Sequence, residues 1–209
     1  MEQVIPLRKK RIAFLASGRG SNFQAVIDAI ASGEIPGIGV GLITDNPRAY
    51  AIERAEHGGI PVRVIDYADF ASKAAYEEAL LAAMRDFQAD LFVLAGYMRI
   101  LGSDIVREFS GRMINIHPAL LPAFPGLHAQ RQAIEYGVKV AGCTVHLVDD
   151  GTDTGPIVIQ RCVPVLEDDD ETALAERILA EEHRALPLAV KLFCEDRLIV
   201  EGRRVRIRP

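Results

Sequence analysis

The chain has 209 residues, 49% of them hydrophobic, which suffices to bury the core of one α/β domain. Its formal net charge of −5 gives no overall positive field, so nucleic acid and anionic membrane surfaces are excluded as partners and any anionic ligand must be caught by local groups. No apolar stretch reaches the ~18 residues of a membrane span, and the first ten residues, MEQVIPLRKK, are basic without the apolar run of a signal peptide. Cys143, Cys162 and Cys194 are widely spaced and form no CxxC pair, which points to reduced structural thiols in a cytoplasmic protein and to no metal site.

Short β-rich runs alternate with helix-like ones. The predicted strands are Ile12 to Ala16, Ile38 to Thr44, Val62 to Asp66, Leu91 to Ala95 and Met113 to Ile116. Between them lie amphipathic stretches, such as Asn22 to Ala31 with Phe23, Val26, Ile27 and Ile30 on one face, and Tyr76 to Phe87 with Leu80, Leu81 and Met84 together. This rhythm predicts a mostly parallel, Rossmann-like sheet with helices on both faces. Phe14 to Ala16 and Leu91 to Ala95 are apolar without alternation, so they read as central strands. From Ala141 the pattern changes to two long strands, Cys143 to Val148 and Ile157 to Val165, an antiparallel addition joined by the loop Asp149 to Gly155. A long helix over Glu171 to Phe193 follows, and Val200 to Ile207 alternates Arg with apolar residues, as in a last strand with a solvated face. No linker interrupts the chain, which predicts one domain of residues 1–209, divided into a phosphate-binding βαβ half of about 11–110 and a catalytic half of about 111–209.

The first strand runs into Ser17-Gly18-Arg19-Gly20-Ser21-Asn22 and then a helix, where glycine backbone can approach an anion at the helix N-terminus. Ser21 and Asn22 are also good N-cap residues, the plain alternative. A dinucleotide turn needs a small residue where Phe23 stands, and the turn lacks the Lys of a nucleoside triphosphate loop. A simple phosphate ester remains.

In Ile114-Asn115-Ile116-His117-Pro118, Asn115 and His117 are two apart at a strand end and point to the same face. Pro118 holds His117 extended. An amide donor beside an imidazole suits oxyanion stabilisation and proton transfer in acyl transfer; an ordinary turn in which both satisfy backbone groups is the alternative. Asp149-Asp150-Gly151-Thr152-Asp153-Thr154-Gly155 lacks the spaced ligands and closing Glu of a calcium loop. It is either a solvated turn or, if Asp153 reaches His117, a charge that favours the imidazolium.

Several segments together carry a resemblance: Gly18 to Asn22, Ala95 to Leu101, Asn115 to Pro122, Pro125 to His128, and Asp153 to Pro156. With them the chain resembles the folate-dependent phosphoribosylglycinamide formyltransferases of purine biosynthesis over nearly all of its length after the first ten residues. That resemblance implies catalytic roles for Asn115, His117 and Asp153, and a phosphate turn of Gly20, Ser21 and Asn22. It implies that Glu182 holds the glycinamide substrate, that Met98, Arg99, Ile100 and Leu101 with Asp149 and Asp150 form the folate pocket, and that Lys73 stands near the folate's glutamate tail. The implied substrates are 10-formyltetrahydrofolate and glycinamide ribonucleotide, and the implied state is a monomer or homodimer. Gln130 and Leu179 depart from the family's bacterial pattern, away from the catalytic trio. The rival within this chemistry is a formyltetrahydrofolate hydrolase. A non-catalytic nucleotide-binding module would explain the glycine turn but has no use for Asn115, His117 and an acidic loop together.

Overall fold

A computed structural model describes residues 8–209, so the expectation drawn from the first ten residues falls largely outside it. Its centre is a nine-stranded sheet. Strands β1 (Lys10–Leu15), β2 (Gly37–Thr44), β3 (Val62–Val64), β4 (Leu91–Leu94) and β5 (Met113–His117) run parallel. Strands β6 (Val140–Leu147) and β7 (Ile157–Pro164) continue the sheet antiparallel, and β8 (Leu198–Glu201) and β9 (Arg204–Ile207) close it, in the order β3-β2-β1-β4-β5-β6-β7-β9-β8.

The apolar runs become central strands because both of their faces are covered. In β1, Ile12 and Phe14 enter a core beneath α1 (Ser21–Ala31), α2 (Ala51–His57) and α6 (Glu171–Cys194). Ala13 and Leu15 enter a second core beneath α3 (Lys73–Phe87) and α4 (Ser103–Glu108). Phe14 and Phe23 are fully buried and meet edge to face with centroids 4.7 Å apart; burying each ring stabilises the fold by about 1.5–3 kcal/mol. Helices α3 and α6 start where Ser72 and Asp170 accept from the amides of Ala75 and Ala173.

One reading of the sequence is corrected. The tail is a hairpin rather than one strand, because Gly202 takes φ +60 and turns the chain. Helices α2, α4 and α5 (Ala129–Tyr136) carry too few turns to show a period in the sequence. Among the described residues, no helix is long and apolar enough to cross a membrane. Cys143 and Cys194 are buried thiols, pushed up to about 12 by burial, whereas Cys162 is exposed on β7 and takes no part in the core.

The strand order reverses between β1 and β4, whose neighbours lie on opposite sides. Open α/β sheets bind ligands at such a point, beyond the carboxyl ends of the strands. The Ser17 amide donates to the Gly96 carbonyl there at 3.0 Å, and the Ser17 hydroxyl accepts from the Met98 amide at 2.9 Å. One serine thereby joins the glycine turn to the segment after β4.

Candidate active site

Strand β5 ends in Asn115 and His117, and antiparallel pairing sets His146 opposite Asn115 and Thr144 opposite His117. Directly paired residues share a sheet face, so four polar side chains gather on one side. Thr144 is buried and anchors the chain beyond the end of β5: its hydroxyl donates to the Ala119 carbonyl at 2.6 Å and accepts from the Leu121 amide at 3.0 Å. This fixes the Pro118 to Pro122 segment. The chain then returns to His117, whose Nε2 donates to the Phe124 carbonyl at 2.8 Å.

The loop after β6 folds back over this face, and glycine makes the fold-back possible. A Cβ on Gly155 would stand 1.7 Å from the Leu147 carbonyl oxygen, so only glycine lets the backbone cross the strand so closely. Asp149 staples the loop, accepting from the Thr154 hydroxyl at 2.6 Å and the Gly151 amide at 3.1 Å. Asp153 sits in the left-handed region at φ +55, tolerated by Asp better than by most residues. From there it meets everything at once: Oδ2 lies 3.3 Å from His117 Nδ1 and accepts from the Gly126 amide at 2.8 Å, while Oδ1 accepts from Asn115 Nδ2 at 3.4 Å and lies 3.5 Å from His146 Nε2.

Burial alone would raise the Asp153 carboxyl, yet it is held below the usual carboxylate range by a hydrogen bond from His146 when Nε2 carries a proton, by the Gly126 amide and by the charge of His117. His117 gives Nε2–H to a carbonyl and turns Nδ1 to this carboxylate, an arrangement in which a proton on both nitrogens is satisfied. His146 donates Nδ1–H to the Leu147 carbonyl at 2.9 Å, so in its neutral form Nε2 accepts from Asn115 Nδ2 at 3.1 Å. His117 and His146 are 5% and 3% exposed, whereas Asn115 and Asp153 are only half-buried.

The glycine turn has a different construction. Gly20, not Ser21 or Asn22, caps α1, with φ +66 and no side-chain capping bond. A Cβ there would also stand 2.7 Å from the Ala51 side chain. The Ser21 and Asn22 side chains are therefore not spent on capping, and Asn22 Nδ2 donates to Glu182 Oε2 at 2.7 Å. Glu182 is buried, and burial pushes its carboxyl up, with the Asn22 hydrogen bond opposing. It belongs with the turn and not with the trio.

Of the residues assigned to a folate pocket, Met98 and Ile100 are exposed apolar side chains. Arg99 is held from two sides, with Nε 2.7 Å from Asp45 Oδ2 and its guanidinium 4.2 Å from the Tyr67 ring centroid. Asp45 is thereby paired with a cation. Lys73 Nζ lies 3.4 Å from Glu77 Oε1, and Glu77 packs against Gly102, so Lys73 stands beside the end of the Met98 to Leu101 segment. Asp149 acts as the loop staple described above, and Asp150 is exposed. Sequence reasoning passed over His146, which is visible only as the second polar residue of an alternating pair with Thr144. Its partner across the sheet depends on register, which no local pattern in the sequence sets.

The trifunctional purine biosynthetic protein adenosine-3 of Drosophila melanogaster is 45% identical over 95% of this chain, which spans 15% of that protein's length. The phosphoribosylglycinamide formyltransferase of Mycobacterium tuberculosis is 46% identical, with 96% of this chain and 93% of that protein covered. The crystal structure of glycinamide ribonucleotide transformylase 1 from Symbiobacterium toebii superposes with a TM-score of 0.94 at 51% identity, covering 96% of this chain and 95% of that one. The family model described as formyl transferase matches residues 10–190, and the chain belongs to that family.

Proposed function

We propose that this protein transfers a formyl group from a folate-type donor, 10-formyltetrahydrofolate, to the amine of glycinamide ribonucleotide in purine biosynthesis. The observation that carries the reading is the convergence of Asn115, His117 and Asp153, from a strand end and a distant loop, within 3.4 Å of one another through Asp153. The relatives' substrates fit that geometry, and the residues up to about 110 serve as the phosphate-binding half of one domain whose remainder is catalytic.

In the proposed reaction the primary amine attacks the formyl carbon and the carbonyl oxygen becomes an oxyanion. Asn115 donates to that oxygen, protonated His117 donates to it once its Nε2–H turns from the Phe124 carbonyl, and Asp153, facing Nδ1, keeps the ring oriented. The weaker of the Asn115 contacts, 3.4 Å to Asp153, supplies the N–H that turns to the oxygen, while the 3.1 Å contact to His146 holds the amide plane. Collapse breaks the bond from carbon to N10, and the proton lost by the amine passes to that nitrogen through water. Gly20 to Asn22 hold the substrate phosphate, Glu182 the neighbouring part of the substrate, and Met98 to Leu101, Asp149, Asp150 and Lys73 surround the folate.

A hydrolase of the same donor would use the same trio with water as nucleophile. The turn favours the amine, because a deformylating enzyme has no substrate phosphate for Gly20 to Asn22 to hold. The test is a spectroscopic assay of formyl loss from 10-formyltetrahydrofolate with and without glycinamide ribonucleotide. Turnover that depends on the amine is the expected result; equal turnover without it would establish the hydrolase instead.

A further inference from the structure

Arg54 projects from α2 toward the glycine turn and grips it at two points. Its Nε donates to the Arg19 carbonyl at 2.8 Å, and its Nη1 donates to Gln24 Oε1 at 3.1 Å, one contact before Gly20 and one after it. The guanidinium also lies 5.0 Å from the Tyr50 ring centroid, and its Cδ is within 3.6 Å of where a Gly20 Cβ would be. Its partners are a carbonyl, a side-chain amide and an aromatic ring, and none carries a negative charge. A half-buried cation with no counter-ion among the described residues costs desolvation that a neutral donor would avoid. The cost is explained if a counter-ion arrives with the ligand.

We infer that Arg54 is a positioning residue for the phosphate of the substrate, clamping the turn so that its amides converge and supplying the positive charge beside them. This rests on the phosphate reading of Gly20 to Asn22. A planar fork that must satisfy two acceptors in different directions is a task for Arg and not for the point charge of Lys. Burial and the charge of Arg54 hold His183 of α6 below its ordinary range, so the field of the guanidinium reaches that helix.

The experiment compares wild type, Arg54→Gln, Arg54→Lys and Gly20→Val in initial rates with each substrate varied, and measures inhibition by inorganic phosphate against the ribosyl phosphate amine. Arg54→Gln should raise the KM for the amine and the Ki for inorganic phosphate about tenfold or more, the scale of a lost charge-assisted contact, with the folate KM within about twofold. Arg54→Lys should recover part of the loss, because charge returns without the two-point grip. A Gln variant with unchanged phosphate Ki, or with both KM values raised alike, overturns the proposal. If inorganic phosphate does not compete with the amine in wild type, the phosphate reading itself fails and Arg54 loses its role with it. If Gly20→Val weakens phosphate and Arg54→Gln does not, only the Arg54 proposal falls. Should Arg54→Gln fail to fold, Arg54→Lys carries the same test, and its wild-type phosphate Ki would overturn the two-point grip.

Discussion

The glycine turn and the Asn115, His117, Asp153 cluster lie at the same end of the sheet and are built in opposite ways. The turn is six consecutive residues after β1, shaped by one glycine at φ +66. The cluster draws on β5, β6 and the loop after β6, with Asp153 38 residues beyond Asn115, and exists only because β6 pairs antiparallel and Gly155 crosses Leu147 closely. A locally encoded site tolerates changes elsewhere and fails when its own backbone is obstructed. A site assembled from distant segments fails when any one of them shifts by an ångström.

The largest expected effect tests the assembled site directly. Asn115→Ala and His117→Ala should each lower kcat by roughly a hundredfold, the scale of a lost oxyanion donor. Near-wild-type turnover in either would remove that residue from the chemistry. Gly155→Val should lower kcat at least about tenfold without touching a reacting group, because the added Cβ displaces the loop that carries Asp153. Circular dichroism of the variant should match wild type; unchanged turnover would mean that the loop reaches the site without this crossing.

For the local site, Gly20→Val should raise the KM for the phosphorylated amine about tenfold and leave the folate KM nearly unchanged, since the branched side chain meets Ala51 and strains a positive-φ position. Equal losses for both substrates would merge the two regions.

The smallest effects concern the carboxylates, whose shifts have opposite sign. Asp153 is lowered, so its contribution to stability is present above the unfolded carboxylate range, near pH 4, and is lost as pH falls through its lower folded value. Asp153→Asn should therefore melt below wild type at neutral pH, with the gap closing below about pH 4. Glu182 is raised by burial, so wild type loses stability as pH rises through its folded value. Glu182→Gln should melt about 2–4 °C higher than wild type at pH 8 for each kcal/mol recovered, and equal to it below about pH 4. Thermal scans across pH check both, and the same sign in both variants would break the contrast.

The sequence by itself determined what depends on neighbours along the chain. Apolar runs at Phe14 and Leu91 announced central strands, the 3.6-residue period announced α1 and α3, and alternation put Asn115 and His117 on one face at a strand end. The turn at Gly20 was legible for the same reason, although the sequence left a Ser21 or Asn22 cap open as the alternative: both cap types share the composition, and only φ tells them apart. Tertiary structure alone decided the register that sets His146 against Asn115, the pairing of Asp45 with Arg99 across two strand ends, the attachment of Glu182 to Asn22 and the hairpin at Gly202. These contacts join residues far apart in sequence. Their formation depends on which surfaces remain to be covered once the sheet has closed over its two cores, and no local propensity records that.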